Sequence, residues 1–107
     1  MAEIKLLDLT DAPVEGRGKK VEFTHPLTEI DYALAVYFAK GRYFAITDAC
    51  KECQSSLAQG RLEGLYAYCC REQHPWNIKT GLYKFDRRRS LPIYRITVKD
   101  GGMYIEI

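Results

Sequence analysis

The sequence predicts an all-β fold of antiparallel sheets. Three observations carry that prediction: apolar and polar residues alternate with a period of two in several segments, glycine-containing turns punctuate them, and no segment keeps a helical period over three turns. Length and composition agree. A chain of 107 residues with 47% hydrophobic residues is long enough to bury a core, and one domain over 1–107 is expected.

The elements follow in order. Val21 and Phe23 alternate with Lys20, Glu22 and Thr24, as in a strand with one buried face, and His25-Pro26 then starts a turn. Tyr32 to Ala39 is a continuous apolar run, which suits a strand buried on both faces. Lys40-Gly41-Arg42-Tyr43 reads as a tight hairpin of type II′, with Gly41 at the first central position. Arg61 to Tyr68 forms a second hairpin around Glu63-Gly64. Toward the C-terminus Tyr94, Ile96 and Val98 alternate with Arg95, Thr97 and Lys99, Asp100-Gly101-Gly102 turns the chain, and Met103, Ile105 and Ile107 resume the alternation. The eight tyrosines fall mostly at apolar-periodic positions and read as packing residues.

Charge and composition narrow the function classes. A net charge of +2 gives no reason to expect a nucleic-acid or membrane-surface partner. No apolar stretch approaches the roughly 20 residues that span a bilayer, and Met1-Ala2-Glu3-Ile4-Lys5 carries no signal-peptide apolar block, so a cytoplasmic protein is expected. Four cysteines in such a chain favour metal or redox chemistry over a disulfide framework. Neither a nucleophile–base arrangement nor a phosphate-binding glycine loop points to an independent enzyme. Arg87-Arg88-Arg89 is a compact basic run that reads first as a solvated face and second as a docking patch for an acidic partner.

Two segments interrupt the strand pattern and carry the chemistry. Cys50-Lys51-Glu52 and Cys69-Cys70-Arg71-Glu72 are separated by sixteen residues, and they open loops over 50–57 and 69–76. In an antiparallel meander the two loops emerge on the same side, so that residues distant in sequence can share one metal centre. Around them stand Ile46-Thr47-Asp48-Ala49-Cys50, Ser55-Ser56-Leu57-Ala58-Gln59-Gly60-Arg61-Leu62-Glu63-Gly64, Trp76 and Thr80-Gly81. Over roughly the middle third of the chain, this pattern resembles the cluster-binding region of the Rieske [2Fe–2S] ferredoxins.

The resemblance implies a Rieske-like fold with a small two-loop metal-binding subdomain, cluster cysteines at Cys50 and Cys69, and a [2Fe–2S] cofactor. The family's loops read Cys-x-His and Cys-x-x-His. Here both histidine positions carry glutamate, so Glu52 and Glu72 are the expected partners of the two cysteines. Two thiolates and two neutral imidazoles leave an oxidised cluster uncharged, whereas carboxylates restore the charge of an all-cysteine cluster. They should draw the potential toward about −400 mV, below the Rieske range that begins at about −150 mV. Carboxylate is also a harder donor than imidazole, which keeps a single iron or zinc ion, or no metal, as alternatives.

Cys53, Cys70 and His74 are further candidate ligands. Cys50, Cys53, Cys69 and Cys70 form Cys-x₂-Cys-x₁₅-Cys-Cys, a set able to supply four thiolates to zinc or a cluster. His74 lies two residues past Glu72 and supplies a nitrogen ligand if the loop shifts register. By analogy with the brace of high-potential Rieske proteins, Cys53 and Cys70 are alternatively a disulfide, and Leu91-Pro92 falls in the segment that covers the cluster in that family.

Two functions follow from the resemblance. One is an electron-transfer protein that passes single electrons from a reductase to an oxygenase-type partner. The other is a cluster-free binding subunit similar to the small subunits of nitrite reductases. A redesigned metal site is a third origin for the same residues. The retained thiols favour the first.

Overall fold

A computed structural model describes residues 2–107. Twelve strands are formed: β1 (Glu3–Asp8), β2 (Gly18–Thr24), β3 (Asp31–Ala39), β4 (Arg42–Thr47), β5 (Leu62–Glu63), β6 (Tyr66–Tyr68), β7 (Pro75–Asn77), β8 (Leu82–Tyr83), β9 (Asp86–Ser90), β10 (Ile93–Tyr94), β11 (Thr97–Lys99) and β12 (Gly102–Glu106). A single 3-10 turn at Leu9–Asp11 is the one helical element among the described residues. The strands assemble into three antiparallel sheets, ordered β1-β12-β11, β10-β4-β3-β2 and β5-β6-β7-β8-β9. No helix among the described residues is long and apolar enough to cross a membrane.

β3 explains why the chain holds together. Side chains alternate across a strand, so a strand covered on both faces must be apolar at consecutive positions. Leu34, Ala35, Val36 and Tyr37 are each at most 1% exposed. Leu34 and Val36 enter one core with Ile4, Leu6, Val21, Ala45, Met103 and Ile105, where the four-stranded sheet meets the β1-β12-β11 sheet. Ala35, Tyr37 and Ala39 enter a second core with Ile46, Leu57, Trp76, Ile78 and Leu91. Cys50 and Cys69 belong to this second core, against the five-stranded sheet. The thiols are therefore sealed by apolar packing.

Three local readings change. The β3–β4 hairpin centres on Lys40 (φ 55°) and Gly41 (φ 74°), one residue earlier than expected. Two positive φ values make it type I′, whose twist matches that of the flanking strands better than an unprimed turn. The run Tyr94 to Lys99 is not one strand. β10 pairs with β4 and β11 pairs with β12, so the chain changes sheets across Arg95-Ile96 and joins the two sheets that enclose the first core. β1, which the period-two reading did not single out, pairs with β12 through a register shift between Lys5 and Leu7. The Glu63-Gly64 hairpin forms as expected, with Leu62 opposite Ala67 and Glu63 opposite Tyr66.

Candidate metal centre

The two cysteine loops close on themselves in the same way. In the first, the Cys50 amide donates to the Ser55 carbonyl (3.0 Å) and the Gln54 amide returns to the Cys50 carbonyl (2.7 Å). In the second, the Cys69 amide donates to the His74 carbonyl (3.1 Å) and the Gln73 amide returns to the Cys69 carbonyl (3.2 Å). The fifth residue of each loop, Gln54 (φ 65°) or Gln73 (φ 62°), occupies the left-handed region. That conformation costs a non-glycine residue about 1–3 kcal/mol, and it lets each loop fold back over its own cysteine. The Cys70 amide donates to the Ser56 carbonyl (3.0 Å) and ties one loop to the other.

Asp48 anchors the first loop from below. Its side chain is fully buried, and its carboxylate accepts the Ser56 hydroxyl at 2.9 and 2.8 Å and the Ala58 amide at 2.7 Å. The Lys20 ammonium stands 3.8 Å away and offsets the charge. Downstream, Gly60 lets the backbone press against Tyr68, since a Cβ there would stand 1.8 Å from the Tyr68 carbonyl oxygen. These contacts hold the two loops side by side.

Four donors meet where the loops touch. The sulfurs of Cys50, Cys53 and Cys69 and a ring nitrogen of His74 all lie within 4.8 Å of one another. His74 Nδ1 is 3.5 Å from Cys50 Sγ and 3.7 Å from Cys69 Sγ, and Cys53 Sγ is 3.5 Å from Cys69 Sγ. N–H groups point at the buried sulfurs: Trp76 Nε1 (3.3 Å) and the Glu52 amide (3.4 Å) donate to Cys50 Sγ, and the His74 amide (3.2 Å) donates to Cys69 Sγ. All four cysteines are free.

No family model matches the chain. It is 26% identical over 109 residues to the 3-phenylpropionate/cinnamic acid dioxygenase ferredoxin subunit of Photorhabdus laumondii subsp. laumondii, covering 100% of this chain and 96% of that relative. Among solved structures, the Sphingomonas yanoikuyae B1 ferredoxin superposes with a TM-score of 0.82 at 23% identity, covering 99% of each chain. The chain has the Rieske-type ferredoxin fold. A complex of reduced oxygenase and oxidised ferredoxin in carbazole 1,9a-dioxygenase gives another Rieske-type match, with a TM-score of 0.76, 23% identity and coverage of 96% of this chain and 91% of that one. A structure from Mycobacterium tuberculosis assigned to an NADH-dependent nitrite reductase small subunit matches with a TM-score of 0.80 at 15% identity, covering 97% and 93%.

Within this Rieske-type fold, the surroundings set the charge states of the donors. Burial pushes the Cys50 thiol up, against the pull of the Trp76 N–H and the Cys53 and Glu52 amides. At Cys69 burial acts upward too, but hydrogen bonds from Ser55, from the His74 and Glu72 amides and from Cys53 outweigh it and bring the thiol down to about 6. The Ser55 hydroxyl, 3.0 Å from Cys53 Sγ, draws that thiol down as well. Hydrogen bonding to Cys53 raises the His74 imidazole. Two of the three converging thiols are thus biased toward the thiolate that binds metal.

The remaining sequence candidates lie outside the cluster of donors. The Glu52 carboxylate pairs with the Arg89 guanidinium at 2.6 Å, and Glu72 and Cys70 are exposed. Cys70 is not linked to Cys53, whose sulfur meets Cys69 instead. β9 presents Arg87 and Arg88 to solvent, with Arg88 paired to Asp86. Leu91 packs in the core with Cys50, Cys69 and Trp76, while Pro92 is exposed. The grouping of Cys53 and His74 has a signal in the sequence: Cys-x-x-x-Gln occurs twice, at Cys50–Gln54 and Cys69–Gln73, and marks two like loops.

Proposed function

We propose that residues 1–107 act as one Rieske-type ferredoxin domain that carries a [2Fe–2S] centre at the pole where the two cysteine loops meet, and that passes single electrons from a reductase to an oxygenase-type partner. The observation that carries this reading is the convergence of three sulfurs and one imidazole nitrogen within 4.8 Å, each positioned by a closed loop. Thiolates and imidazole are the donors that iron–sulfur clusters take, so in donor type the residues present fit the cofactor. A module that only bound a partner would have no use for buried sulfurs supplied with N–H donors.

When bound, the cluster supplies one-electron chemistry. The residues around it bind, shield and tune. Trp76 and the loop amides stabilise negative charge on sulfur, which favours the reduced state. Leu57, Leu91 and Tyr83 pack in the same core and keep water from Cys50 and Cys69. His74 is half-buried at the rim, so that the pole faces a partner through a ligand's edge.

The relatives support the partner class. One is named as a dioxygenase ferredoxin subunit and one as a ferredoxin in complex with an oxygenase. Four free thiols suit a reducing compartment, which supports a cytoplasmic location. Iron and acid-labile sulfide analysis of anaerobically purified protein tests the reading. About two of each per chain, with a visible spectrum that bleaches on one-electron reduction, is the expected result. Protein free of iron and sulfide, yet folded, moves the assignment to the cluster-free subunit class.

A further inference from the structure

We infer that the ligands of this centre are Cys50, Cys53, Cys69 and His74, three thiolates and one imidazole, in place of the two-thiolate, two-imidazole set of the fold family and of the Cys/Glu set suggested by residue spacing. The inference rests on the electron-transfer reading for the identity of the cofactor, and on the geometry alone for the ligands.

Histidine supply limits the ligand set. The chain holds two histidines. His25 is 4% exposed, and both of its ring nitrogens are engaged far from the pole. Nδ1 accepts the Leu27 and Thr28 amides at 3.1 and 3.2 Å, which leaves the proton on Nε2 to be donated to the Ile107 carbonyl at 2.9 Å. A two-imidazole centre therefore cannot be assembled from this chain. His74 is the one nitrogen available.

The fourth position then falls to whichever other donor reaches the site. The Glu52 backbone does face it, through the amide that donates to Cys50 Sγ, but the carboxylate is held by Arg89. Glu72 is exposed and stands outside the converging group. Cys70 is turned to solvent and stands outside the converging group. Cys53 reaches. The left-handed turn at Gln54 carries its sulfur back over the loop, to 3.5 Å from Cys69 Sγ and within 4.8 Å of the other donors. Glu52 becomes a positioning residue that pins the loop to β9 through Arg89.

Pulsed electron paramagnetic resonance on the reduced protein reads the imidazole count directly, and metal analysis of single variants reads the sulfurs. The expected result is one strongly coupled ligand nitrogen in the unaltered chain. Cys53→Ser should lower iron and sulfide per chain about tenfold or more relative to Cys70→Ser, with an unchanged circular dichroism spectrum. Two coupled nitrogens, or full iron and sulfide in a folded Cys53→Ser protein, overturns the ligand assignment and leaves the electron-transfer reading standing. If the unaltered protein instead holds only zinc, and loses it on Cys53→Ser or His74→Ala but not on Cys70→Ser, the ligand set stands and the electron-transfer reading falls. If it binds no metal at all, both fall.

Discussion

The indole N–H of Trp76 donates to Cys50 Sγ at 3.3 Å across a core in which both residues are fully buried. A donor aimed at a cluster sulfur from a dry environment stabilises the extra electron of the reduced state and raises the potential. Trp76→Phe keeps most of the apolar volume and removes the N–H. Its midpoint potential should be lower than that of the unaltered protein when both are measured by voltammetry in one buffer. An unchanged potential would show that the contact is lost once the centre is filled.

Asp48→Asn should cost roughly 1.5–3 kcal/mol in urea unfolding, the range for a hydrogen bond to a buried charged group. The carboxylate accepts from Ser56 and Ala58, and an amide cannot satisfy the same donors with both of its atoms. Because these contacts seat the first loop, the variant should also lose iron faster to a chelator.

Tyr37 makes the protein sensitive to alkali. Its hydroxyl is buried without a protein partner among the described residues, and burial, with the Asp48 carboxylate second, pushes the phenol well above its ordinary range. A raised folded-state pKa means that the neutral form is favoured by folding. The contribution is complete below the unfolded value of about 10 and is lost as pH rises above it, by up to about 1.4 kcal/mol per pH unit. Tyr37→Phe should therefore match or slightly exceed the unaltered protein in urea midpoint at pH 7 and surpass it increasingly between pH 10 and 11. A parallel decline of both proteins would contradict this.

Changing both Glu52 and Glu72 to Gln separates carboxylate ligation from carboxylate positioning. Iron content and visible spectrum should persist, with a stability cost of about 1 kcal/mol or less from loss of the partly exposed Glu52–Arg89 pair. Loss of the chromophore would return the carboxylates to the ligand set.

What was legible in the sequence and what was not divide along physical lines. β3 was legible because a strand packed on both faces must be apolar throughout, and the Glu63-Gly64 hairpin because its turn residues are specific. The pairing of Cys50 with Cys69 at one pole was legible from the loop context. The break across Arg95-Ile96 was not, since the alternation continues unbroken while the chain passes from one sheet to another. The approach of Cys53 and His74, both candidates by residue type, was legible only in part, through the repeated Cys-x-x-x-Gln. It depends on left-handed backbone at Gln54 and Gln73, where no glycine announces the turn. Counting from each cysteine to the family's histidine positions thus led to Glu52 and Glu72, whereas the folded loops present the residue before one glutamine and the residue after the other.

The midpoint potential of the purified protein tests the central claim most directly. Three thiolates and one imidazole leave an oxidised cluster with one negative charge, between the neutral two-histidine centre and the doubly negative four-cysteine centre. Protein-film voltammetry should therefore show a reversible one-electron wave between about −400 and −150 mV. A wave well above that window, or no wave from protein shown to be folded, would contradict the account.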